Sequence, residues 1–444
     1  MQLKDKRILY QNLYIRMLKN FLLNSDNHIK SAYIWNTASG VLSAFQSIFV
    51  LIVIARVTDV NTAGIFSIAW AISHLALSLG RYGMRNFQAT DIREKYSTGD
   101  YFASRIITIT LMMMYTFIYV MYGHVNSGYS LYKCAIIFLV CFIKMIDGVQ
   151  DIIAGWFQQK NRLDVATKIE VLYVSIGMFA FVISLLATRQ LLISLIIWCV
   201  SVMITVTTGW MLTIPSFQFT GKIKITKKVF RLLYSCFPLC AVSFLTIYIG
   251  NAPKYAIDSL LNEEVQAYYN YLFMPVFSIG LLADFAIKPM LYTMGESWIN
   301  NDRVKFQNII NRQMRFIATL TIFVVIASYF IGIPILSLLY ATNLSAYRTE
   351  LCILMFGGGF LALVSILNMI ITIIRKQNEL LAGYLICSLV ALIGSKFIIS
   401  KFNIMGAVCL YTLTMLLLCI VLAVIIIRSM KQQDNNKALE LRRG

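Results

Sequence analysis

The residues able to do chemistry are few, and they interrupt runs that are otherwise apolar. Asp284 and Lys288 fall four apart in the run 268–292, so a helix places both on one face. Lys144 and Asp147 stand three apart in the run 131–150. A charge inside a membrane span is costly unless it is paired or lines a watery path. Two readings follow for the lysines. They snorkel to the nearer interface, or they form a cationic cavity that holds phosphate, for which an ammonium is a compact point charge. Asp284 can pair with Lys288 or, once that partner is occupied, take up an ion. His74 sits midway along the run 62–80 among Ser67, Ser73 and Ser78. Asn36, Thr37, Ser43, Gln46 and Ser47 on the first run, and Ser243, Thr246 and Asn251 on the seventh, line a path or join helices by hydrogen bonds. The candidates for substrate binding are therefore Lys144, Lys288, Asn36, Gln46, His74 and Asn251. Those for ion coupling are Asp284 and Asp147.

These residues must be held by membrane helices. Of 444 residues 59% are hydrophobic and only 13% charged, half the charged share of an ordinary soluble chain. Runs of 18 or more apolar residues recur, which predicts an all-α polytopic membrane protein. Twelve spans are expected, at about 31–55, 62–80, 105–123, 131–150, 169–187, 190–214, 232–252, 268–292, 313–332, 350–374, 380–400 and 403–427. Four of the six prolines, Pro238, Pro253, Pro275 and Pro289, fall in the stretch 232–292 that holds the seventh and eighth, and a proline inside a helix bends it. Membranes tolerate such bends where neighbours or water satisfy the freed backbone.

With the N-terminus placed in the cytosol, the inner segments carry 30 Lys and Arg and the outer segments 6. That bias predicts both termini inside. It divides the chain into a basic N-terminal segment 1–30, a six-helix bundle 31–214, a basic linker 215–231, a second six-helix bundle 232–427 and a tail 428–444. Leu9, Leu13 and Met17 give the first segment the spacing of an amphipathic helix on the inner leaflet. Residues 252–267 and 333–349 read as outer loops, the latter the longest. The halves echo each other weakly. Ala63-Gly64-Ile65-Phe66 matches Ala267-Tyr268-Tyr269, and Asp100-Tyr101-Phe102 matches Asp302-Arg303-Val304-Lys305-Phe306. Parallel repeats of this kind are common in transporters.

No GxSxG, HExxH, P-loop or dinucleotide fingerprint is present, so no enzyme and no cofactor is expected. His28, His74 and His124 are far apart and predict no metal site. The nine cysteines sit in apolar runs without a CxxC pair and read as small hydrophobes. The net charge of +19 reports topology and contact with membrane lipids rather than nucleic acid. Residues 1–30 do not read as a signal peptide.

The stretch Asn251-Ala252-Pro253-Lys254-Tyr255-Ala256-Ile257-Asp258-Ser259-Leu260-Leu261, followed by Glu263-Glu264-Val265-Gln266-Ala267-Tyr268-Tyr269, resembles the start of the second half of polysaccharide flippases. Arg56-Val57-Thr58-Asp59 with Ala63-Gly64-Ile65-Phe66 resembles the matching place in the first half. Gly155-Trp156-Phe157-Gln158-Gln159-Lys160 is also similar to that family. These proteins belong to the multidrug/oligosaccharidyl-lipid/polysaccharide exporter superfamily. The resemblance implies a V-shaped, MATE-like pair of bundles whose first, second, seventh and eighth spans line a cavity. It implies a cell-membrane flippase that carries an undecaprenyl-pyrophosphate-linked oligosaccharide from the inner to the outer leaflet for capsule or O-antigen-like polymers. H⁺ or Na⁺ would be the coupling ion, and a polymerase and glycosyltransferases of the same pathway the partners. The alternatives are an ion-coupled multidrug exporter of the same superfamily, which wants more cavity acids, and a membrane polysaccharide polymerase, which wants a large outer loop.

Overall fold

The computed structural model describes residues 15–91, 94–287, 290–300, 302–374 and 376–441, and all regular structure among them is helical. After a short helix over 15–23 (α1) come α2 (His28–Val57), α3 (Val60–Arg81), α4 (Met84–Thr90), α5 (Thr98–Asn126), α6 (Leu131–Gln159), α7 (Leu163–Thr188), α8 (Leu191–Thr213) and α9 (Lys227–Leu260). Then follow α10 (Glu263–Phe273), α11 (Val276–Ile287), α12 (Leu291–Ile299), α13 (Arg303–Ala327), α14 (Ile333–Tyr340), α15 (Arg348–Ile373) and α16 (Gln377–Leu441). In lipid a helix satisfies its own backbone, and this explains why long apolar runs leave no other regular element.

Among the described residues all twelve apolar runs are built of helix, the eighth with an interruption. Among the described residues nine helical stretches are long and apolar enough to cross a membrane. Three more runs complete the set. α6 carries Lys144, Asp147 and Asp151, α10–α11 are interrupted at Met274–Pro275, and α16 breaks once, at Asn403 (φ 49°, ψ −128°), between two of the expected spans. The protein is an all-α multi-pass membrane protein.

Two expected loops are shorter than read. The helix α9 continues through Pro253 to Leu260, so the turn into α10 is only Leu261–Asn262. A lost hydrogen bond at one proline costs less than unpaired backbone over several residues in lipid. Likewise residues 333–340 are α14, entered through a π-turn at Ser328–Gly332. Leu9 and Leu13 lie outside the described residues. Met17, on α1, is exposed.

The weak repeat has a local cause. Asp59 caps α3 by accepting from the Thr62 N–H, and Asn262 caps α10 by accepting from the Val265 N–H. Asp100 closes a capping box with Ser97 at α5, and Asp302 caps α13. Polar residues recur there because each helix start leaves orphan N–H groups.

The chain forms two compact units, one of residues up to Thr62 with Ala69–Ser243, the other of Ala63–Ile68 with residues from Phe244 onward. In the first, α6 is central and packs on α4, α5, α7 and α8, while α2 packs on α7. In the second, α15 is central and packs on α10, α11, α13 and α16. Gly357-Gly358-Gly359 is the packing surface of α15 rather than a break in it. A Cβ on Gly357 would lie 2.8 Å from the Tyr411 ring, and one on Gly359 2.4 Å from the Thr321 hydroxyl.

Candidate functional site

Charged side chains of the first unit converge on α6. Residues 144, 147 and 151 follow at three- and four-residue spacing, so one helix face presents Lys144, Asp147 and Asp151. Lys144 is 5% exposed. Its Nζ donates to Asp147 Oδ2 at 2.9 Å and lies 4.4 Å from the centre of the Trp70 ring of α3. Tyr173 of α7 donates to the other Asp147 oxygen at 3.0 Å. Trp70 in turn faces Trp198 at 6.3 Å and His74 at 5.3 Å.

One turn further along α6, Asp151 serves three arginines. Arg105 Nη2 donates to its Oδ2 at 2.8 Å, while Arg85 and Arg81 stand 3.9 and 4.0 Å from its Oδ1. Arg105 is 3% exposed and also donates to the Gly80 carbonyl, which Thr108 Oγ1 reaches at 2.8 Å. A cation at the last turn of α3 is favoured by the helix dipole. Arg81 and Arg85 are different. Their side chains are 48% and 28% exposed, and the carboxylate within 4 Å of both is already bonded to Arg105. A guanidinium carries five donors in a fork suited to phosphate oxygens, so this end of the unit has donors to spare. Glu170 of α7 and Asp147 add their negative charge to that of Asp151 at Arg81.

The other sequence candidates scatter. Gln46 is 5% exposed, His74 half-buried on α3, and Asn36 exposed on α2. Asn251 is half-buried on α9 and donates to the Ile247 carbonyl at 3.0 Å. Lys288 and the side chain of Asp284 lie outside the described residues. Arg81, Arg85, Arg105 and Asp151 escape the sequence reading because their partners are 46 to 70 residues apart. The available signal was the spacing of Asp147 and Asp151, which puts both acids on the face of Lys144. Among the described residues no group of three metal-ligating side chains occurs.

Among the described residues of the second unit there is one buried cation, and the sequence places it in a loop. Lys254 of α9 is 5% exposed, and its Nζ lies 4.6 Å from the centre of the Phe273 ring of α10.

A fold of this kind, two units of long apolar helices with an interrupted eighth run, is that of the MOP transporters. The chain superposes on a multidrug resistance MATE family transporter of that superfamily, in an inward-facing conformation, with a TM-score of 0.64 at 12% identity, covering 96% of this chain and 99% of the other. It superposes on the lipid II flippase MurJ in an inward closed conformation with a TM-score of 0.65 at 13% identity, covering 90% of each. The family is narrower than the fold. The family model described as polysaccharide biosynthesis protein matches residues 30–292, and the chain belongs to that family. It is 23% identical over 387 residues to the capsular polysaccharide biosynthesis protein CapF of Staphylococcus aureus, covering 85% of this chain and 93% of CapF.

Proposed function

We propose that the protein is a flippase of the cell membrane, with both termini cytosolic, that moves an undecaprenyl-pyrophosphate-linked oligosaccharide to the outer leaflet for capsule-like polysaccharide assembly. The observation that carries this reading is the surplus of guanidinium around Asp151. A pyrophosphate brings two negative groups that cannot cross lipid unaided, and a pair of part-exposed arginines supplies matched bidentate donors. Arg81 and Arg85 take the pyrophosphate, Arg105 and Asp151 hold them in place, and Lys144 pairs with Asp147 beside them. The family membership, the capsular relative and the lipid II flippase of like fold support the same class of cargo. The protein then works as a carrier and not as an enzyme. Its coupling ion is H⁺ or Na⁺, with Asp284 and Asp147 the acids in question, and its partners are the glycosyltransferases and polymerase that make and use the cargo.

The test is flipping of a fluorescent lipid-linked oligosaccharide in proteoliposomes. The double change Arg81→Gln, Arg85→Gln should slow transport by about tenfold or more, the loss expected for charge-assisted hydrogen bonds. Arg→Lys at the same places should restore part of it. A folded double-Gln variant that flips at the wild-type rate sinks the assignment.

A further inference from the structure

Lys254 has the burial of Lys144 without its compensation. No described carboxylate forms an ion pair with it. Asp258, one turn further along α9, makes an interaction of its own. The aromatic face of Phe273 is the contact that meets the Lys254 ammonium. Around that ring stand other polar groups with nothing to bond. Tyr269 stacks on Phe273 at 5.7 Å, and Tyr411 meets it edge-on at 4.9 Å. The hydroxyls of both are fully buried with no hydrogen-bond partner. Gln266, 1% exposed, leaves its amide nitrogen and oxygen unbonded as well. Residues 266, 269 and 273 recur at three and four, so Gln266, Tyr269 and Phe273 share one face of α10.

Buried polar groups are almost always bonded, so two orphaned hydroxyls and one unpaired ammonium at a single ring, with an orphaned amide on the same face of α10, need an explanation. Their inventory points one way. The ammonium offers three donors, each phenol one, and the amide two, against one amide oxygen and two weakly accepting phenols. A cation and a ring of donors in a low dielectric lack an anion. All four side chains are buried, which disfavours a bulky one.

We propose that Lys254, Tyr269, Tyr411 and Gln266 form a binding site for one small monovalent anion of the halide class within the second unit. The anion neutralises the Lys254 ammonium and accepts from the two hydroxyls and the amide. This site is separate from the arginines of the first unit and goes beyond the cargo reading, because it needs no sugar or lipid to fill it.

Thermal unfolding of the purified full-length protein tests it, in sodium chloride, sodium bromide or sodium gluconate at equal ionic strength and pH. The midpoint should rise saturably with chloride or bromide and stay flat with gluconate, since a ligand that binds only the folded state shifts unfolding by mass action. Lys254→Met should abolish the anion dependence, and Lys254→Arg should keep it. The pair Tyr269→Phe, Tyr411→Phe keeps the rings, and it should raise the chloride needed for half the shift by about tenfold. If Lys254→Met does not fold, the double Phe variant decides alone. Equal wild-type midpoints in chloride and gluconate overturn the proposal. So does an unchanged chloride response in Lys254→Met or in the double Phe variant, and so does a midpoint that follows pH but no anion, which marks a proton site instead.

Discussion

Lys144 and Lys254 make a controlled comparison. Each is 5% exposed, and each lies over an aromatic face, at 4.4 and 4.6 Å. Each has an acid within one helical turn in sequence, Asp147 and Asp258. Yet Lys144 is bonded to its acid, which a tyrosine also holds, while Lys254 is not. The aromatic contact therefore does not decide the matter. A cation–π contact is worth about 2 kcal/mol when desolvated, less than a buried charge costs. The first unit answers that cost with its own carboxylates. Among the described residues the second offers no carboxylate to Lys254.

The comparison breaks most easily at Asp151. Asp151→Ala should destabilise the protein by about 3–5 kcal/mol, since it strands Arg105 as a buried unpaired charge. Denaturation of the purified protein measures it, and a loss below about 1 kcal/mol would mean that Asp151 is not the hub of the network. In the second unit the sign should reverse. Lys254→Met in chloride-free gluconate should stabilise by about 2 kcal/mol, because it replaces an uncompensated charge with a hydrophobe of similar length. Destabilisation of that variant would show that Lys254 is already satisfied. A smaller effect sharpens the contrast. Tyr173→Phe should cost about 1 kcal/mol, the value of one hydrogen bond to Asp147, and the cost should vanish in a Lys144→Met, Asp147→Leu background.

The smallest effect belongs to a carboxylate that water can reach. Burial raises the Asp59 carboxyl, but the hydroxyl and N–H of Thr62 outweigh it and hold its pKa below the ordinary value of 3.8. A carboxyl whose folded pKa lies below its unfolded one adds stability that is complete above the unfolded value and is lost as pH falls through the folded one. The stability gap between wild type and Asp59→Ala should thus be constant above about pH 5 and close below about pH 4. A gap that widens on acidification would contradict the capping role.

Much of this was readable in the chain. The runs are helical because apolar length alone dictates the element in a membrane, and the three-residue spacing of Lys144 and Asp147 allows the local pair the structure forms. Three things were not readable. The apolar run ends near residue 252, which puts Lys254 in an outer loop 252–267, whereas α9 runs on through Pro253 to Leu260. The lipid environment favours continuing the helix, and that buries Lys254. Asp151 and its arginines were missed because tertiary packing, not spacing, joins them. The orphaned hydroxyls of Tyr269 and Tyr411 have no sequence signature, since most buried tyrosines find a partner.

The way α9 starts bears on how the gene could be divided. Its first residues belong to the first unit, where Cys240 Sγ approaches the Ser78 carbonyl at 3.9 Å and a Cβ on Gly83 would lie 2.7 Å from Leu239. The segment before it is fastened too. Phe217 stacks on Phe157 at 4.0 Å, and the Gly99 N–H donates to the Thr220 carbonyl at 2.9 Å. The basic stretch between α8 and α9 thus behaves as trim on one unit rather than as a hinge. A split gene cut there would yield a first fragment with a bare groove along Ser78–Gly83, and co-expression of the two pieces would succeed only if the second returned its α9 to that groove.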